Sequence, residues 1–140
     1  MTLDPVRLLS FNAGLQVLFA SLVGVYMLLP LQPWGAKLRG RIDARSILSA
    51  HLDWLMLAFM QWGAAFTMWR FTEARSLLAA WLLVFGGWLN PTPYLFRGLG
   101  IDAFVFAGPP RQRLAAALAG ASVAAIIAAW VITLVRLARG

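Results

Sequence analysis

Three stretches of this 140-residue chain, residues 8–36, 76–96 and 114–135, contain no Asp, Glu, Lys or Arg. About 20 consecutive apolar residues in a helix cross the hydrocarbon core of a bilayer, and each stretch is long enough to do so. A fourth apolar run, residues 46–69, is interrupted by His51 and Asp53 near its start and reads as a span with a polar entrance. The balance of residues agrees: 61% are hydrophobic and 12% charged, against about 25% charged in soluble domains. Mean hydropathy is +0.77. The expectation is an all-α, integral membrane four-helix bundle. It forms a single domain over residues 1–140, with spans near 8–30, 46–69, 76–96 and 113–135.

Twelve basic residues against five acidic ones give a net charge of +7. They lie between the apolar runs and form no contiguous stripe, so the excess points to membrane loops and not to nucleic acid. Lys37, Arg39, Arg41, Arg45, Arg97, Arg111 and Arg113 fall on one side, while Arg7, Arg70, Arg75, Arg136 and Arg139 fall on the other. This split favours a cytoplasmic position for the first and third loops. The first apolar run outlasts a signal-peptide core and closes in a turn with Pro30, Pro33 and Gly35, so it is expected to stay in the mature protein. With no cysteine, thiolate zinc sites, iron–sulfur clusters and thiol nucleophiles fall away.

Asn90-Pro91-Thr92-Pro93 sits inside the third apolar region. Two prolines remove two backbone donors, so the third helix is expected to break or kink there and leave carbonyls free. Ala116, Gly120, Ala124 and Ala128 form a small-residue stripe at four-residue spacing, suited to close helix approach in lipid. Asn12, Gln16, Gln61 and Thr67 are candidates to stitch helices together. Trp34, Trp69 and Trp88, near span ends, are expected to anchor at the interface.

His51 is the only histidine. Helical geometry puts Trp54, Leu55, Ala58 and Trp62 near its face, whereas Asp53 projects about 200° away. Asp53 is expected to pair with Arg41 or Arg45 or to cap backbone. A zinc or di-iron centre needs several converging ligands, but haem needs one protein ligand. His51 is therefore either an interfacial residue bonded to a carbonyl or a haem ligand.

Ser49-Ala50-His51-Leu52-Asp53 after a basic loop, together with Asn90 and Tyr94 on the third helix, resembles the small four-helix membrane isomerases that include styrene oxide isomerase and hydroxylaminobenzene mutase. The resemblance spans nearly the whole chain. It implies a homotrimer in a bacterial inner membrane, with haem b held between protomers and His51 as axial ligand. The activity implied is Lewis-acid isomerisation of a small aromatic substrate, an aryl epoxide to an aldehyde or an aryl hydroxylamine to an aminophenol. Tyr94 and Asn90 would contact the substrate, and Trp54, Leu55, Ala58 and Gln61 would line its cavity. The family pattern has Asn six residues after the histidine, usually followed by Gly; here these are Leu57 and Ala58. Trp54 stands where the mutases tend to have Gly. The alternatives are a non-catalytic haem-binding or redox-sensing membrane protein, and a haem-free structural or transport subunit.

Overall fold

The computed structural model describes residues 3–38 and 43–140, and among these every regular element is helical. Arg39 and Arg41, which enter the charge reading above, lie outside the described residues. Helix α1 spans Pro5–Leu28, α2 Ala44–Arg70, α3 Leu77–Leu89, α4 Thr92–Gly98 and α5 Pro110–Arg139. Short 3₁₀ turns follow α1 and α2. Side-chain caps start three of the helices. Asp4 accepts from the Val6 amide, Asp43 from the Ser46 amide and Ser76 from the Ala79 amide, each meeting a donor that the first helical turn cannot satisfy internally.

Two segments, Pro5–Leu31 and Pro110–Arg139, are long and apolar enough to cross a membrane. Their outer faces expose Phe11, Leu18, Leu22, Val25, Ile127, Val131 and Leu134. The helices pack chiefly as two pairs, α1 on α2 and α3 on α5, with α4 lying against α2. The main core joins both pairs through Leu9, Met68, Leu83 and Ala129 with the small Ala64, Ala79 and Ala80. Small residues at these crossings let the backbones come close, which favours dispersion contacts.

The third region is two helices. α3 ends at Leu89 and α4 begins at Thr92, and the prolines explain where. Pro93 has no N–H for the Leu89 carbonyl, and the Thr92 hydroxyl donates to that oxygen at 2.7 Å instead. The Trp88 carbonyl, also near the end of α3, accepts the Trp54 indole N–H at 3.4 Å. Two carbonyls at the break, those of Trp88 and Leu89, are thus met by side chains.

Two expectations need correction. The buried face of α5 runs through Ala115, Ala116, Ser122, Ala125, Ala129 and Thr133, while Ala124 of the expected stripe is exposed. α5 docks where Gly86 of α3 meets the Ser122 backbone and Ile126, so the partner's glycine, not the spacing within α5, selects the face. Trp34 and Trp69 are exposed, but Trp88 is half-buried and its indole points to Asn12.

Candidate functional site

His51 lies in the second turn of α2, facing α1. Its Nδ1 is 2.8 Å from the Ala20 carbonyl oxygen. A carbonyl can only accept, so Nδ1 donates, and Nε2 is the second ring nitrogen left for another partner. One turn along α1 from Ala20, Gly24 provides the ledge on which the ring rests: a β-carbon there would stand 3.2 Å from His51 Cε1. Metal-binding histidines show the same arrangement, in which one ring nitrogen is held by a backbone carbonyl and the other is left as ligand. Leu48 and Leu52 expose apolar surface on the same helix, at 44% and 50% of their area.

Deeper between α1, α2 and α3 runs a chain of polar side chains. The Trp88 indole donates to Asn12 Oδ1 at 2.9 Å, Asn12 Nδ2 donates to Gln61 Oε1 at 2.6 Å, and Gln61 Nε2 donates to Gln16 Oε1 at 2.6 Å. An indole has no acceptor, so Trp88 decides the orientation of all three amides. The chain ends on Gln16 Nε2, buried without a partner. Gly87 faces these amides, and a methyl group there would collide with Gln61 Nε2.

At the break after α3, Asn90 Nδ2 donates to Asp53 Oδ2 at 2.9 Å, and the Ser122 hydroxyl reaches Asn90 Oδ1 at 3.4 Å while also donating to the Ala119 carbonyl. Asp53 therefore takes its hydrogen bond from the helix break, where a loop arginine or a backbone cap was expected; Arg41 lies outside the described residues. Tyr94 packs beside Ala20, Ala50 and Trp54, its ring edge-on to Phe104 with centroids 5.4 Å apart. It borders two cavities at the N-terminal end of α2, of about 260 and 310 Å³, and His51 lines neither.

No protein-family model, curated protein or solved structure matches this chain.

Of the residues expected to form a site, Trp54 packs with Phe19 and Trp88, its ring edge-on to Phe19 with centroids 4.7 Å apart, while Phe19 also meets the Trp88 ring at 5.4 Å. Leu55 is half-buried beside this cluster, Ala58 is fully buried, and Gln61 belongs to the amide chain. Leu57 is buried. His51 and Tyr94 thus both neighbour the Ala20 cluster, while Asn90 faces Asp53 and Ser122. Sequence reasoning passed over Ala20 and Gly24 and read Trp88 only as an interfacial anchor. A glycine in the interior of an otherwise apolar helix was a usable signal for close approach, whereas nothing in the sequence marks the Ala20 carbonyl as a hydrogen-bond acceptor.

Among the described residues no three His, Asp or Glu side chains converge as a multi-ligand metal ion site needs. A single imidazole whose Nε2 has no partner among the described residues, on an apolar flank, fits the requirements of haem iron, which takes one axial ligand from the protein. Asp43, at the mouth of the Tyr94 cavities, has its carboxyl pKa lowered mainly by the Ser46 hydroxyl and then by the Ser46 amide.

Proposed function

We propose that the chain is a multi-pass membrane protein that binds haem b through His51 Nε2 and isomerises a small aromatic substrate, an aryl epoxide to the aldehyde or an aryl hydroxylamine to the aminophenol. The observation that supports the reading is the 2.8 Å contact from His51 Nδ1 to the Ala20 carbonyl, which leaves Nε2 as the ring nitrogen that iron would take; the haem-free alternative expects the same contact, so absorption spectra separate the two. The four crossings follow from the apolar runs. α2 and the α3–α4 region supply the second and third, with their polar groups turned to partner helices, as hydrocarbon demands.

Ferric haem bound there would supply a Lewis acid for the substrate oxygen. The chain's own residues do the rest. Ala20 and Gly24 hold the imidazole plane. Trp54, Phe19 and Trp88 form a dry aromatic wall that keeps water from a carbocation-like centre. Tyr94 orients the substrate through its hydroxyl. A homotrimer, as the resemblance implies, would set a second copy against the α1–α2 flank, where Leu48 and Leu52 are exposed.

One observation favours a second reading, a haem-binding membrane protein without isomerase activity. Leu57 is buried where the family places an amide, and the Asn90 amide is held by Asp53 and Ser122. Absorption spectra of the purified protein, oxidised and reduced, decide the matter together with a styrene oxide turnover assay. The first reading expects a Soret band and aldehyde formation, both lost in His51→Ala. A Soret band lost in His51→Ala without turnover of any epoxide or aryl hydroxylamine selects the second reading. Absence of a Soret band after expression with haem supplied overturns both.

A further inference from the structure

The two cavities at the N-terminal end of α2 share Asp43, Ser46 and Tyr94 as a common wall. Beyond that wall they differ in chemistry. The lobe of about 260 Å³ is floored by Ile47, Leu95 and Leu99, with Tyr26 at its side. The lobe of about 310 Å³ is bounded by Arg45, Arg97 and Ser49. Both of the chain's two tyrosines therefore border a pair of adjoining cavities, one aliphatic and one cationic, with Tyr94 in both linings and Tyr26 in the aliphatic one. Among the described residues Asp43 is the one acid in either lining, and both its oxygens are occupied: Oδ1 accepts the Ser46 amide at 3.2 Å and Oδ2 the Ser46 hydroxyl at 2.6 Å. Two guanidinium charges against one carboxylate leave an excess of one positive charge facing the lobe.

We propose that this paired cavity binds the head group of an anionic phospholipid, with its phosphate between Arg45 and Arg97 and its first chain carbons along Ile47, Leu95 and Leu99. Guanidinium forks match phosphate oxygens two at a time, which a point charge does not. Tyrosine side chains favour the depth at which head groups meet hydrocarbon. Basic pockets between helices on the more positive side of a membrane protein are where anionic head groups bind. Arg45 and Arg97 belong to that side, which carries seven of the twelve basic residues. The inference rests on the membrane part of the reading above and is independent of haem.

The test uses the full chain. Alkaline carbonate extraction comes first: release into the supernatant overturns the membrane reading and this site with it. On protein retained in membranes and purified in a nonionic detergent, native mass spectrometry follows binding of phosphatidylglycerol and of phosphatidylcholine with the same acyl chains. Phosphatidylglycerol is expected to bind more tightly. At the interaction typical of one basic residue with an anionic membrane surface, R45Q and R97Q each lower its affinity about fivefold, and the double variant on the order of thirtyfold. Both arginines are exposed, so the variants should keep the wild-type far-ultraviolet circular dichroism. An R111Q/R113Q variant, which removes two exposed charges outside the cavity, should keep the preference. Equal binding of the two lipids, or an R45Q/R97Q protein that still prefers phosphatidylglycerol, overturns the proposal. Displacement of the lipid by inorganic phosphate at equal concentration also overturns it, and makes the ligand a soluble phosphate.

Discussion

At the scale of single residues, the molecule turns on what a missing side chain permits. Gly24 gives the His51 ring its ledge, and an added methyl 3.2 Å from Cε1 makes the imidazole give by a few tenths of an ångström against the hold of the Ala20 carbonyl. Loss of a partner that orients a metal ligand weakens metal binding by about 10- to 100-fold. If His51 ligates haem as proposed, Gly24→Ala is expected to lower haem affinity on the order of tenfold in a haem titration, with the helical content intact; an unchanged titration would show that the Ala20 contact does not orient the ligand. The amide chain permits a ranking. Gln61 both accepts from Asn12 and donates to Gln16, so Gln61→Met strands two buried groups, whereas Gln16→Met removes the orphaned donor and strands only Gln61 Nε2. With about 1–3 kcal/mol for each stranded group, Gln61→Met is expected to lower the thermal unfolding midpoint in detergent clearly more than Gln16→Met. Equal losses would mean that the two bonds are not formed in solution.

At the scale of elements, helix starts and breaks are settled by side chains that take up backbone groups. Thr92 and Trp54 serve the end of α3 in this way, and Trp54 thereby acquires a role at the position where the mutases tend to have glycine. Asp43 serves the start of α2. Its folded pKa is depressed by Ser46, so its contribution is complete above the ordinary carboxylate pKa and is lost as pH falls through the folded value. The thermal midpoint is expected to decline below about pH 4 more steeply in the wild type than in Asp43→Asn, which caps a helix without titrating there. Parallel pH profiles would remove Asp43 from the account.

At the scale of the whole molecule, the helix limits were legible because charge-free runs, prolines and capping residues are local signals. The break at Asn90–Pro91 was legible for the same reason. The pairings were not. Asp53 with Asn90 and Trp88 with Asn12 join residues 37 and 76 positions apart, and a helical wheel orders neighbours on one helix but says nothing of what the next helix presents. The face of α5 was misjudged because Gly86, on another element, chooses it. The four-crossing reading has its own check. The chain has no cysteine, so single thiols can be introduced at the exposed Lys37, Glu73 and Arg111. An impermeant maleimide is expected to reach Lys37→Cys and Arg111→Cys from one side and Glu73→Cys from the other; labelling of all three from the same side would leave only α1 and α5 crossing. The amide chain has a consequence at this scale too. With phenylalanine at position 88, the three amides could all turn over together, leaving Asn12 instead of Gln16 with the spare donor. The bundle would then hold two arrangements of nearly equal energy where it now holds one. Trp88 thus lends three helices a single sense of direction, much as an arrowhead does to a line that could otherwise be read from either end.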